Sequence, residues 1–313
     1  MRLMIHKNLS SSLSGPGVFS GRLAKCLSEE FGVQIVRKKP DIVLCGISMK
    51  RVNIEAPKVF RVDGCYCDVS VRNYRTRNNH LRRAIQRADG IVFQSKFSKD
   101  LILSILHPRK IYRKKSAIIY NGFDQSIVPD VQPIDKDCDW LFVANAKWRP
   151  DKRPESILRG FLEADVPNSK LVMIGMEPPR LPMFNTEKIQ FIPFVPPEQL
   201  YPYYKAADAL IHLRYLEPCS NSVIEALSFG LPVICNNTGG TPEIVGNDGY
   251  AIPCDEYNFT YHRGVVEVPP KQTAQAIWDC VNDGHRKVSR PDLDMRTVAK
   301  GYLNFFAEIL DAS

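Results

Sequence analysis

Two glutamates, Glu217 and Glu225, stand eight positions apart at the ends of the segment EPCSNSVIE. Between them lie the small polar residues Cys219, Ser220, Asn221 and Ser222. Carboxylates accept hydrogen bonds from hydroxyl groups, and the amides of a small-residue loop at a helix start can face phosphate or sugar oxygens. The chemistry this suits is the capture of a hydroxylated, phosphorylated ligand. A second set of groups lies upstream in NAKWRPDKRP, where Lys147, Arg149, Lys152 and Arg153 crowd into one loop. Cations of this kind offset the charge of a pyrophosphate.

These groups need a scaffold, and the surrounding pattern supplies one. DWLFVAN (139–145) reads as a strand, and ESILRGFLEA (155–164) as a helix with Ile157, Leu158, Phe161 and Leu162 on one face. SKLVMIG (169–175) is a strand leading to Met176, and IQFIPFV (189–195) is a strand ending at Val195. DALIHLRY (208–215) is the strand that delivers Glu217. SNSVIEALSFG is a helix stopped by Gly230, and LPVICN is a strand before the turn Gly239-Gly240. The first half repeats the rhythm. The strand MRLMIH runs into the serine- and glycine-rich loop KNLSSSLSGPG, with Gly15 and Gly17, and a helix follows from Val18. Further strands read at 33–36, 41–47, 58–64, 89–95 and 116–124, and Asp63 closes the third of these five.

Strands alternating with helices predict an α/β fold of two Rossmann-like, mostly parallel sheets facing a central cleft, with ligands at the carboxyl ends of the strands. Residues 125–138 lack apolar periodicity and read as a linker. The expected domains are 1–130, which is short and basic, and 131–295, which carries the paired glutamates and the cationic loop. A C-terminal helix over 296–313 is expected to cross back onto the first domain.

At 313 residues and 44% hydrophobic content, the chain can bury two sizeable cores. No apolar run is long enough for a transmembrane helix, and the polar start does not read as a signal peptide. Nine scattered cysteines point to reduced, buried thiols; Cys65 and Cys67 alone form a CxC, which is too little for a metal site. The net charge of +8 is uneven. Residues 1–130 hold 24 Lys and Arg against 10 Asp and Glu, whereas the remaining 183 hold 18 against 24. Arg72, Arg75, Arg77, Arg82, Arg83 and Arg87 share one basic helix, and Arg109, Lys110, Arg113, Lys114 and Lys115 form a second cluster. A basic face of this kind is either a solvated surface or a dock for an anionic or membrane-associated partner. Nucleic acid is disfavoured, because Tyr74 and Tyr112 are too few aromatics for base stacking and no nucleic-acid module is present.

The second half resembles the retaining glycosyltransferases of family 4, whose two-domain fold is called GT-B. Glu217 and Glu225 match the E-x7-E signature of that family, GGTPEIV its glycine turn and helix, and KAADALIHL the strand before the signature. VANAKWRPDKRPESIL resembles the phosphate-binding loop, with Lys152 at the lysine and Lys147 where an arginine is usual. LSGPGVFSGRLAKCL, RADGIVFQSKFSKDLI and SAIIYNGFD resemble segments of the N-terminal domain. Three departures stand out. Asp63-Gly64 replaces a histidine-glycine pair, Cys219-Ser220 replaces phenylalanine-glycine, and the N-terminal domain is short.

The resemblance implies a hexosyltransferase-type enzyme. It would move a sugar from a UDP- or GDP-type nucleotide-sugar to a glycan, lipid-linked or other acceptor with retention, without a metal or other cofactor. It implies Glu217 and Asp63 as catalytic residues. It implies donor binding by Gly15, Gly17, Lys147, Lys152, Met176, Val195, Ser220, Asn221 and Glu225, with Glu225 on the ribose and Ser220 and Asn221 along the sugar-phosphate. The alternatives are a nucleotide-sugar epimerase of the same fold and a non-catalytic protein that docks through its basic surface. A cytoplasmic location, peripheral to a membrane surface, is the expectation for such a chain.

Overall fold

The computed structural model describes residues 1–6, 15–46, 49, 52, 54–107, 114–176, 184, 186–254 and 256–312. They divide into two compact units. The first unit comprises 1–124, 257–264 and 291–313; the second comprises 125–256 and 265–290.

The first unit holds β1 (Arg2–His6), α1 (Gly15–Phe31), β2 (Gln34–Ile35), β3 (Ile42–Gly46), β4 (Lys58–Val62), α2 (Tyr74–Arg87), β5 (Gly90–Phe93), α3 (Lys96–Leu106) and β6 (Lys115–Ile118). The strands form one parallel sheet in the order β2-β1-β3-β4-β5-β6. Every residue of β3 and β5 is buried, as parallel strands covered on both faces require. The Ser95 side chain caps α3 by accepting from the Ser98 amide at 2.9 Å.

In the second unit are β7 (Trp140–Lys147), α4 (Pro154–Ala164), β8 (Ser169–Met176), β9 (Ile189–Ile192), α5 (Pro197–Ala206), β10 (Ala209–His212), α6 (Asn221–Ser228), β11 (Val233–Asn236), α7 (Thr241–Val245), β12 (Gly249–Ile252) and α8 (Pro270–Asn282). Its parallel sheet has the order β12-β11-β10-β7-β8-β9. Helix α4 buries Ile157, Leu158 and Phe161 in the core below the sheet. Helix α8 crosses it so closely that a Cβ on Gly160 would lie 2.3 Å from Thr273, which explains a glycine in the middle of a helix.

The last helix, α9 (Met295–Leu310), belongs to the first unit. Met295, Val298, Tyr302, Phe305, Phe306 and Ile309 join Leu3, Phe19, Leu23 and Leu27 in one core. Residues 257–264 also return to the first unit, where the His262 carbonyl accepts from the Val69 amide at 2.8 Å and Tyr261 meets Tyr74 edge to face.

Three local features differ from the sequence reading. Helix α1 starts at Gly15 rather than Val18, because Pro16 is tolerated in a first turn, where its missing N–H has no intrahelical partner to lose. Strand β12 adds an edge that periodicity did not reveal. The segment 125–138 lies along the second unit, with Lys136 Nζ 3.0 Å from Asp208 Oδ2 and the Ile134 amide donating to the Pro202 carbonyl at 3.3 Å. The loop 7–14 and the basic residues Arg109, Lys110 and Arg113 lie outside the described residues. Among the described residues, no helix is long and apolar enough to cross a membrane.

Candidate functional site

The second sheet begins in its middle. The chain lays down β7, adds β8 and β9 on one side, then returns to place β10, β11 and β12 on the other. The loops leaving β7 and β10 therefore start side by side and diverge. This switch point at the carboxyl edge is where an open parallel sheet has room for a ligand. The two loops are tied together, because the Tyr215 amide donates to the Asp151 carbonyl at 2.9 Å.

Glu217 enters from the β10 side and is almost fully buried, with its side chain 6% exposed. Arg214 Nη1 donates to both carboxylate oxygens. Lys152 Nζ, from the loop after β7, lies 3.3 Å from Oε2, and His212 Nε2 is 3.9 Å from the same oxygen. Arg214 Nε also reaches Asp151 Oδ2 at 3.1 Å, and Asp151 Oδ1 faces Arg149 Nε at 3.2 Å. Burial opposes the charge on Glu217, but the attraction of Arg214 and then Lys152 outweighs it and holds the carboxyl well below its usual range. Burial, opposed by Glu217, lowers the Lys152 ammonium. Burial, with Lys152 beside it, pushes His212 down to about 3, so its imidazole is neutral. Among the described residues, neither His212 Nε2 nor Trp148 Nε1 has a hydrogen-bond partner, and both line one small cavity with Lys152 and Arg214.

The backbone of Glu217 is gripped as well. Gly239 has φ +96°, and a Cβ there would come within 3.0 Å of both the amide nitrogen and the carbonyl oxygen of Glu217. The Gly240 amide then donates to the Glu217 carbonyl at 2.7 Å. A side chain at 239 would strain the turn and push Glu217 out of place.

Of the residues singled out in the sequence, Lys152 and Glu217 are brought into contact. Ser220 is buried and caps α6 by accepting from the Val223 amide at 3.4 Å. Asn221 opens that helix, and Glu225 stands half-buried one turn further on. Asn145, on β7, donates to Ser222 Oγ at 3.2 Å and accepts from the Tyr204 hydroxyl at 2.9 Å, which fixes β7 against α6. Lys147 is the exposed last residue of β7, in register with Met176 at the end of β8, whose side chain is 53% exposed. Val195 is half-buried in the loop after β9.

Asp63, Gly15 and Gly17 belong to the other unit. Asp63 follows β4 and accepts from Arg61 Nη1 and from Gln94 Nε2. Arg61 also donates to Asn121, and its guanidinium stacks 4.2 Å from the centroid of the Phe19 ring. Burial pushes Asp63 above the usual carboxylate range against the pull of Arg61 and Gln94. Gly15 and Gly17 lie in the first turn of α1, not in a loop, with Gly15 exposed and Gly17 buried.

Sequence reasoning missed Arg214, His212 and Asp151. The available signal was a charged residue interrupting the apolar end of a strand three positions before Glu217. It also took Arg153 for a loop cation. Arg153 is fully buried, with its guanidinium 4.7 Å from the centroid of the Tyr215 ring and Nη1 donating to the Leu213 carbonyl at 3.4 Å.

Residues 129–276, which contain this whole arrangement, match the family model described as Glycosyl transferases group 1. Just under half of the chain is thus similar to the group 1 glycosyl transferases. Over 61 residues it is 36% identical to the O-antigen chain mannosyltransferase B of Escherichia coli, covering 20% of this chain and 16% of that protein. Over 104 residues it is 30% identical to the spore coat protein SA of Bacillus subtilis strain 168, covering 32% of this chain and 24% of that protein. The chain thus spans less than a quarter of the length of these curated relatives. Among solved structures, Anabaena HepE in complex with UDP and glucose superposes with a TM-score of 0.65 at 12% identity, over 98% of this chain and 99% of that one. The sucrose-phosphate synthase of Thermosynechococcus elongatus superposes with a TM-score of 0.64 at 15% identity, over 95% and 78%. At these identities the likeness establishes the fold, which is GT-B: two parallel six-stranded sheets with flanking helices.

Proposed function

We propose that the chain is a retaining glycosyltransferase that takes a sugar from a nucleotide-sugar and passes it to a separate acceptor. The observation that carries this reading is Glu217, a buried, charged carboxylate at the switch point, set between cations and eight positions before Glu225 on α6. Glu217 accepts hydrogen bonds from sugar hydroxyls, and Ser220 and Asn221 line the sugar-phosphate at the start of α6. Glu225 binds the ribose. Lys152, Lys147 and the amides at the N-terminus of α6 take up the charge that develops on the leaving diphosphate, and no metal is invoked for that task. Met176, at the end of β8, and Val195, in the loop after β9, flank the nucleotide.

The donor proposed is of UDP or GDP type; the UDP bound to HepE favours the former. On α2, Arg72 just before it and Arg75, Arg77, Arg83 and Arg87 within it are exposed and suit an anionic or membrane-associated acceptor.

A thermal-shift screen of UDP- and GDP-sugars tests this reading, since a ligand of the native state raises its apparent stability. A shift with one nucleotide-sugar, followed by transfer to an added acceptor with the anomeric configuration kept, is the expected result. Turnover of donor to an epimer without acceptor would replace the transferase with an isomerase. No response to any nucleotide would sink both.

A further inference from the structure

We propose that Arg214 is a phosphate-binding residue, masked by two carboxylates that the donor must displace. This deepens the donor reading above and rests on it. Arg214 is not among the residues that the E-x7-E and phosphate-loop patterns point to. It sits on the β10 side of the switch point, opposite Lys152 on the β7 side, and both cations converge on Glu217.

The charges are out of balance. Lys152, Arg214 and Arg149 pair here with only two carboxylates, Asp151 and Glu217, while His212 is neutral. Three cations thus share two anions at one crevice. Glu217 is shared between Arg214 and Lys152, and Asp151 between Arg214 and Arg149, so neither carboxylate saturates its cations. The guanidinium is partly open, with the Arg214 side chain 26% exposed against 6% for Glu217. Its planar fork now holds carboxylates and matches phosphate oxygens equally well.

A second consequence follows from the same geometry. Both Glu217 oxygens are occupied by Arg214, so the carboxylate has reduced capacity for sugar hydroxyls. When Arg214 turns to a phosphate, that capacity returns. Capture of the diphosphate and exposure of the sugar-holding carboxylate are therefore one exchange of partners.

The test compares uridine, UMP, UDP and UDP-glucose, with the guanosine series in parallel, by calorimetry on the full chain. In Arg214→Gln, UDP affinity is expected to fall about ten- to a hundredfold, as for loss of a charge-assisted hydrogen bond, while uridine changes less than about threefold. Asp151→Asn removes a competing carboxylate and is expected to bind UDP a few-fold more tightly than wild type. In wild type, adding the hexose to UDP should gain affinity, and Arg214→Gln should lose part of that gain. If Arg214→Gln weakens uridine and UDP by the same factor, or neither, Arg214 is structural and the inference is overturned. Should Arg214→Gln fail to fold, the Asp151→Asn variant decides, and unchanged or weaker UDP binding there overturns it. A wild type that binds no nucleotide of either series overturns the donor reading itself.

Discussion

Lys152 Nζ stands 3.3 Å from Glu217 Oε2 and so joins the loop after β7 to the loop after β10. The two residues are 65 positions apart in sequence and meet only because β10 returns to the side of β7. Both are substantially buried. An ion pair in such a place contributes little net stability, since desolvation offsets much of the attraction, yet losing one partner strands the other.

Glu217→Gln tests the role of the carboxylate without changing its shape. Sugar transfer should fall at least about a hundredfold, because the amide cannot accept on both atoms or hold the negative charge. Binding of UDP should persist or tighten, since Arg214 and Lys152 lose their internal competitor. Calorimetry with UDP beside a transfer assay separates these outcomes; equal loss of both would place Glu217 in the nucleotide subsite instead.

Glu225→Ala should weaken donor binding through the ribose. The decisive readout is the ratio of affinities for UDP and 2′-deoxy-UDP, which should move toward one in the variant. Affinity for UDP should drop about five- to a hundredfold, in the range for a lost hydrogen bond to a charged acceptor. An unchanged ratio would remove the ribose assignment.

Gly239→Ala should damage the site through the backbone. The substitution meets a strained φ and a contact at 3.0 Å with the Glu217 backbone. A loss on the order of 1–3 kcal/mol of stability is expected, read by denaturant unfolding. Nucleotide affinity should fall alongside it, whereas an alanine at Gly32, where φ is +64° but nothing lies within 4 Å of the added Cβ, should cost stability alone.

His212 predicts an acid-sensitive core. Its folded value near 3 lies below the ordinary 6.5, so between those limits the unfolded chain binds a proton that the folded chain refuses. Stability should therefore decline as pH falls from 6.5 toward 3, by on the order of a few kcal/mol from this group alone. Lys152 and Arg214 face the ring and oppose its charging, while Glu217 favours it. Replacement by glutamine should flatten this part of the pH–stability curve; a curve that keeps its slope would mean that other groups set it.

Much of this was legible in the sequence because the information was local. Strand β10 is a short, continuous apolar run, and the glutamates of 217–225 flank a capping serine, so Glu217 and the start of α6 could be placed from the sequence. Lys152 was legible as a cation near the next strand end. Arg153 was not, because nothing in NAKWRPDKRP says which of four cations turns inward; a ring of Tyr215, contributed by a distant loop, makes that choice. Arg214 was hidden for the opposite reason. It lies two residues past the end of β10, in what the sequence reads as the strand 208–215, and only the shared edge of β7 and β10 gives it Asp151 as a partner. Gly15 and Gly17 were read as a loop from composition, although Pro16 is as compatible with a first helical turn as with a break.

The return of 257–264 and of α9 to the first unit means that the chain passes between units four times. Neither unit is therefore a single stretch of sequence. A fragment ending at Asp124 would lack α9 and leave Leu3, Phe19 and Leu23 without the aromatic residues that cover them. Expression of the basic half alone, the obvious way to study its surface, should give an aggregating chain. A circularly permuted fragment that fuses 291–313 to Met1 is the version expected to fold, and one cut in the 125–138 segment would leave the two units still held by three other strands of chain.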